Sequence, residues 1–294
     1  MNKVGFIGVG IMGKSMVRNL MKAGFELHIY ARTKSKVEDV ISEGAQFHES
    51  IKDCVQDCDA VITIVGFPQD VEEVYFDEGN ILDSAKEGAY LIDMTTTSPQ
   101  IAEKIYAEGT KRGFHVMDAP VTGGDTGAKA GTLSILVGGE KEDYEACMPL
   151  FEAMGTNINY QGKAGCGQHC KLANQIMIAG TLSGVCEALT YAKEQGLDPE
   201  VFMKSVATGA AGSKQLDTFG PKILKDDYAP GFFIKHFIKD MKLALIEANR
   251  KGLSLDVLSM VLANYEELEQ EGYGDLGTQA LMKFYDEEHR NTEE

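Results

Sequence analysis

Lys171, Asn174 and Gln175 follow one another at intervals of three and one, a spacing that sets all three on one side of a helix. An amine that exchanges a proton beside two side-chain amides suits general acid–base chemistry at an oxygen atom. A helical lysine is ordinarily a surface residue whose stem covers apolar neighbours. Here the surrounding stretch, GCGQHCKLANQIMIAGTLSGVCEALTYAKE at 165–194, offers no evident solvent face. Leu172, Ala173, Ile176, Met177, Ile178 and Ala179 wrap most of the cylinder. The stretch lacks proline and predicts one helix of roughly 45 Å, buried because it is apolar nearly all round. Burial disfavours an ammonium group and eases its proton exchange near neutral pH. Lys171 is therefore the candidate catalytic residue.

A second chemistry lies at the start of the chain. The apolar run 3–7 is followed at once by Gly8-Val9-Gly10-Ile11-Met12-Gly13, then by a helical pattern that stops at Gly24. Strand, GxGxxG and helix in that order form the context of a dinucleotide-binding turn. The first glycine permits the turn, the second lets a pyrophosphate approach the backbone, and the third lets helix pack on strand. The next strand, 26–30, ends in Ala31-Arg32-Thr33, with Lys36 nearby and no acid where a free ribose 2′-hydroxyl is usually met. A guanidinium pairs well with a 2′-phosphate. Arg32 and Thr33 thus predict NADP as the cofactor, with NAD as the alternative.

Further apolar runs at 60–65, 90–93 and 115–118 alternate with helical patterns, notably 98–112, entered through Ser98-Pro99. Alternation of this kind implies a parallel sheet with helices on both faces, with ligands at the carboxyl ends of the strands. Gly66-Phe67-Pro68 and Thr95-Thr96 fall there, and 132–137 and 157–160 read as closing strands. Asp118-Ala119-Pro120-Val121-Thr122-Gly123-Gly124 follows another strand, and a hydroxyl before two glycines presents backbone N–H groups suited to a carboxylate. After Gln161 the strand-like runs cease. Helical patterns follow at 165–194, 199–208, 239–251, 254–271 and 278–287, with Phe232 to Met241 between helices and its aromatics in the core. The expected fold is an α/β Rossmann-type dinucleotide-binding domain, 1–162, followed by an all-α substrate and oligomerisation domain, 163–294, joined by the long helix.

The chain has 294 residues, 44% of them hydrophobic and 25% charged, as expected of a globular protein of about two domains. A formal charge of −17 argues against nucleic acid and against an anionic membrane as partners. The opening MNKVGFIGVG reads as a strand, not a secretory leader, and no uninterrupted apolar run reaches the length of a membrane span. Six cysteines without a CxxC pair fit free thiols in a reducing cytoplasm. Cys166, His169 and Cys170 lack a second ligand pair at zinc-like spacing, so they are read as packing residues and no metal is expected.

Together these elements resemble the β-hydroxyacid dehydrogenase family, which includes 3-hydroxyisobutyrate dehydrogenase and tartronate semialdehyde reductase. The resemblance covers nearly the whole chain and rests on VGFIGVGIMGKSMVRNLMKAG, DAPVTGG, GCGQHCKLANQ and FIKDMKLAL, in that order. It implies hydride transfer between a nicotinamide and a small 3-hydroxy acid or its semialdehyde. It also implies that Lys171 is the general acid and base, that Thr122, Gly123 and Gly124 bind the carboxylate, and that Asn174 orients the reacting oxygen, with Gln175 beside it. Gly8, Gly10, Ile11, Met12, Gly13, Arg32, Thr33, Gly66 and Phe67 would hold the cofactor. Thr96 would contact it near the nicotinamide ribose, and Lys239 would reach it from the second domain. Thr122 stands where the family usually has Ser, and Gln175 where many members have Asn. Both departures change reach more than chemistry. A homodimer or homotetramer is expected. The rivals are an imine reductase of the same fold, against which Lys171 counts, and a non-catalytic nucleotide-binding or redox-sensing protein, which would need neither Lys171, Asn174 nor DAPVTGG. Phosphogluconate dehydrogenase has a longer helical portion than this chain.

Overall fold

The computed structural model describes residues 1–285. Contacts divide the chain into two compact units, Met1–Lys171 and Leu172–Glu294, the second described as far as 285.

The first unit is built on a nine-stranded sheet. Its strands are β1 (Lys3–Ile7), β2 (Glu26–Tyr30), β3 (Gln46–Phe47), β4 (Ala60–Thr63), β5 (Tyr90–Asp93), β6 (His115–Asp118), β7 (Val121–Thr122), β8 (Leu133–Gly138) and β9 (Gly155–Gly162). The order is β3-β2-β1-β4-β5-β6-β8-β7, with β9 paired to β8. The first six strands run parallel, in the arrangement that places a crevice where the order reverses, beside β1 and β4. β8 runs antiparallel to β6 and β7.

Alternate side chains serve opposite faces, and both faces are covered, which is why these strands read as unbroken apolar runs. Val4, Phe6, Ile29, Ile62 and Ile92 join Met16, Val17 and Leu20 of the helix Ile11–Lys22 in one core. Ile7, Val61, Leu91 and Val116 join Tyr75 and Ile105, from the helices Pro68–Phe76 and Pro99–Lys111, in the other. Ser98 caps the second of these by accepting from Gln100 N–H, with proline in the first turn. Two short strands, β3 and β7, are absent from the sequence reading. β7 turns the start of the glycine loop into sheet, Thr122 lying opposite Ser134.

The helical unit packs the long helix, Cys166–Glu194, with the helices Ile234–Arg250 and Asp256–Gln270. Leu182, Leu189, Phe237, Met241, Val261 and Leu268 are fully or nearly fully buried. The rings of Phe237 and Tyr265 meet edge to face at 5.3 Å, and the Tyr265 hydroxyl donates to Thr278 O at 2.7 Å. The helix expected from Lys239 begins at Ile234 instead. Ile234, Phe237, Ile238 and Met241 form its buried stripe, so the aromatic stretch read as a connection is its first two turns. A helix at Lys214–Ile223 had no counterpart in the sequence reading because it contains Pro221. The last expected helix is a 3₁₀ segment, Thr278–Tyr285, and residues 286 and 287 lie outside the described residues.

The long helix is not buried all round. Ala173 and Gly184 are exposed, and Met177 is 74% exposed. Its length and composition also match those of a helix able to cross a membrane. Buried polar residues, Gln175 and Ser183 among them, interrupt its apolar run. Leu172, Ala179, Leu182 and Leu189 nevertheless form part of the helical unit's core.

At the end of β5 the Asp93 carboxylate is buried, accepting from Thr63 Oγ1 at 2.8 Å and Thr95 N at 3.1 Å through one oxygen. Its other oxygen has no hydrogen-bond partner. Burial, reinforced by the charge of Asp118, pushes its pKa up from 3.8 to about 6 against these bonds. Because the folded value lies above the unfolded one, this group favours the folded state below about pH 4, and that contribution is lost as pH rises to about 6. The ionised form costs the folded protein roughly 3 kcal/mol above that range. Asp93→Asn should therefore flatten the fall in unfolding free energy between pH 4 and 6, measured by urea denaturation. An unchanged slope would remove Asp93 as its source.

Candidate active site

The glycine turn is shaped by contacts that admit no side chain. Gly8 has φ +98°, and a Cβ there would lie 2.0 Å from Ile64 O; a Cβ on Gly13 would lie 2.1 Å from Gly8 O. Around Gly10 a Cβ would meet nothing within 4 Å. Gly10 is also the N-cap of the helix Ile11–Lys22, with no side-chain cap and no acid in the first turn. Open space before an uncapped helix N-terminus fits the pyrophosphate of a dinucleotide. Ile11 is exposed and Met12 half-buried beside it.

Loops after the neighbouring strands complete this end of the sheet. Arg32 follows β2, and its Nη1 lies 3.2 Å from Asp70 Oδ1; Thr33 caps the turn Lys34–Lys36 and is exposed. Gly66 and Phe67 follow β4, and Phe67 N donates to Asp70 Oδ2 at 2.9 Å. After β5, Thr95 Oγ1 accepts from Val65 N at 3.0 Å, tying two loops together, and Thr96 is half-buried next to it. Thr122 is half-buried at the end of β7, followed by exposed Gly123 and Gly124 with φ of +131° and +63°. Those angles belong to glycine. A shallow depression lined by Asn2, Lys3, Asp57, Asp59 and Lys86 holds none of these residues.

Lys171 is buried, 7% exposed, in the second turn of the long helix. What fixes the turn before it is not legible in the sequence. The Asp118 carboxylate, at the end of β6, accepts from Gly165 N through Oδ1 and from Gln168 N through Oδ2, each at 2.8 Å. Burial pushes its pKa up, and these two N–H bonds oppose that shift. Gln168 is fully buried, its amide accepting from Thr97 N at 3.0 Å and donating to Thr95 O at 2.7 Å. Gly138 and Gly167 allow the approach, since a Cβ on either would lie within 2.5 Å of Asp118 Oδ1 or Leu136 O respectively.

Asn174 is half-buried and donates to Gln175 Oε1 at 2.7 Å. Gln175 is 1% exposed and donates in turn to Asp240 Oδ2 at 2.7 Å. Its amide is thus engaged at both ends, as a support for Asn174. Lys239 Nζ lies 3.0 Å from Asp240 Oδ1. Sequence alone points to Lys239 and gives Asp240 beside it no role. Asp118 belongs to the stretch DAPVTGG, and nothing in a sequence joins it to a helix start 47 residues away. The cysteines are free, and no cluster able to hold a metal occurs among the described residues.

Residues 3–162 match the NAD binding domain of 6-phosphogluconate dehydrogenase, and residues 165–285 match the family described as NAD-binding of NADP-dependent 3-hydroxyisobutyrate dehydrogenase. The chain belongs to the β-hydroxyacid dehydrogenase family. Among its relatives, an uncharacterized oxidoreductase of Bacillus subtilis is 49% identical over 96% of this chain and 98% of its own length. A probable mitochondrial 3-hydroxyisobutyrate dehydrogenase-like protein of Arabidopsis thaliana is 44% identical over 95% and 84%. A solved 3-hydroxyisobutyrate dehydrogenase of Mycobacterium tuberculosis with L-serine superposes with a TM-score of 0.89 at 26% identity, covering 97% of this chain and 99% of that one. As a β-hydroxyacid dehydrogenase the chain is an NAD(P)-dependent oxidoreductase of hydroxy acids.

Asp118→Ala would leave two buried N–H groups at the start of the long helix, those of Gly165 and Gln168, without their acceptor, at a cost of about 3 kcal/mol. Asp118→Asn keeps one acceptor and should cost less. Denaturant midpoints of the two variants check this ordering, and equal midpoints would refute it.

Proposed function

We propose that this chain interconverts a small 3-hydroxy acid and its semialdehyde, preferring the 2′-phosphorylated dinucleotide, with Lys171 as general acid and base. The observation that carries the reading is a buried amine on a helix whose preceding turn is bonded to the end of β6. A proton-exchanging group must be held at fixed reach from the reacting atom, and Lys171 has that anchorage. The nicotinamide, when bound, supplies or accepts the hydride.

In reduction, negative charge develops on the carbonyl oxygen, and Lys171 donates a proton to it; in oxidation Lys171 accepts that proton. Such transfer contributes about 10²–10⁴-fold to rate. Asn174, one turn further on, orients the same oxygen by hydrogen bonding, its amide held by Gln175. The Thr122 hydroxyl and the N–H groups of Gly123 and Gly124 hold the substrate carboxylate. Support comes from the positive φ of both exposed glycines, a backbone conformation that side-chain-bearing residues rarely adopt. For the cofactor, support lies in Arg32, a guanidinium 77% exposed at the end of β2.

Lys171→Ala should lower kcat by about 10²–10⁴-fold while leaving dinucleotide affinity nearly unchanged, and arginine should not restore it. Turnover followed by nicotinamide absorbance, over a panel including 3-hydroxyisobutyrate, tartronate semialdehyde and L-serine, measures this and names the substrate. An amide analogue of the best acid should lose most of kcat/KM, because charge-assisted bonds are about twice as strong as neutral ones. Near-normal turnover of Lys171→Ala, or an amide as good as the acid, would overturn the reading.

Self-association belongs to the same proposal, with a second copy of this chain as the partner. Its support is the exposure of Met177, Val257 and Met260 at 74%, 59% and 51%, on adjacent helices where Gly180 faces Val257. Met177→Glu should shift the sedimentation coefficient toward the monomer, and an unchanged value would exclude this surface.

A further inference from the structure

Arg32 does not stand alone at the end of β2. Its guanidinium lies 3.2 Å from a carboxylate oxygen of Asp70, in the first turn of the helix Pro68–Phe76 that follows β4. β1 lies between β2 and β4 in the sheet. Adjacent strands are about 4.8 Å apart, so the pair reaches across roughly two strand spacings, over the strand that ends in the glycine turn. The two partners differ in freedom. Asp70 is held from its other oxygen, which accepts from Phe67 N at 2.9 Å and closes the helix cap. Its side chain is 16% exposed, against 77% for Arg32.

We propose that Asp70 sets how strongly this enzyme discriminates between the two dinucleotides, by competing with the ribose 2′-phosphate for Arg32. This rests on the reading of Arg32 as the 2′-phosphate contact. An exposed ion pair is weak, and a phosphate dianion offers a guanidinium more acceptors than one carboxylate oxygen does. The phosphate therefore draws Arg32 away from Asp70. Two penalties follow for the phosphorylated form alone: the existing pair is broken, and a fixed carboxylate remains near the incoming negative charge. The unphosphorylated dinucleotide meets neither, since Arg32 stays with Asp70. Asp70 thus narrows a preference that Arg32 creates, and the chain retains use of both forms.

The test is the affinity of the full-length protein for NADP and for NAD, by calorimetric titration, in the unaltered chain, Asp70→Asn, Arg32→Ala and the double variant. Asp70→Asn keeps an oxygen for Phe67 N–H and removes the charge. It should raise the NADP-to-NAD affinity ratio by about threefold to tenfold, through tighter NADP binding. Arg32→Ala should lower the ratio about tenfold or more, and the gain from Asp70→Asn should shrink in its background. If Arg32→Ala lowers the ratio while Asp70→Asn leaves it unchanged or lower, the competition proposed here is overturned and the Arg32 reading survives. If Arg32→Ala leaves the ratio unchanged, the Arg32 reading itself fails, and with it this inference. Asp70→Ser, which also keeps a capping oxygen without charge, gives the same comparison should the asparagine variant fold poorly.

Discussion

The buried carboxylate of Asp118 is the constraint on which the rest of the first unit turns. A helix N-terminus carries unsatisfied N–H groups and partial positive charge, and a strand end in this sheet carries an acid whose charged form burial disfavours. Each satisfies the other across two 2.8 Å bonds. Glycines at 138 and 167 let the backbones close to a distance that a methyl group would prevent. From this junction, order passes through Gln168 to the loop after β5, and from Thr95 to Val65 in the loop after β4. The loops read as cofactor contacts and the helix that carries Lys171 are therefore parts of one bonded framework, with little freedom to be arranged separately.

Much of the fold was legible because its signals are local. The glycine turn announces itself by three glycines between a strand and a helix, and Ser98-Pro99 announces a capped helix start. What escaped was decided by distant partners or by competing local signals. Phe232 to Phe237 look like a connection by their aromatics, yet four apolar residues at helical spacing are buried from Ile234 on. Pro221 argues against a helix that the Ser213 cap nevertheless initiates. The long helix is apolar on sides that burial does not reach, since composition reports that a face is apolar and not what covers it. In the candidate site the sequence named the residues that would touch ligands. It missed Asp118, Gln168 and Asp240, whose partners lie tens of residues away.

A common pattern links the two cations read as cofactor contacts. Arg32 is adjacent to Asp70, and Lys239 to Asp240. In a chain with a formal charge of −17, neither cation works against a neutral background. The two acids differ in setting: Asp70 belongs to an exposed pair, whereas Asp240 is 1% exposed and also accepts from Gln175. The exposed pair can be dissolved by a competing anion. In the other, the buried acid is held in addition by the Gln175 amide.

The long helix also acts as a ruler. Gln168 and Gln175 are seven residues apart, two turns of helix, so both side chains leave it in nearly the same direction. One is bonded to the loop after β5 and the other to Asp240. Substitution between them changes a side chain and leaves both bonds in place. Loss or gain of one residue would rotate everything beyond it by about 100° and shift it by about 1.5 Å, so the two side chains would no longer leave the helix in the same direction. The stretch from 168 to 175 therefore keeps these two directions through substitution at its exposed positions and loses them with a change in length.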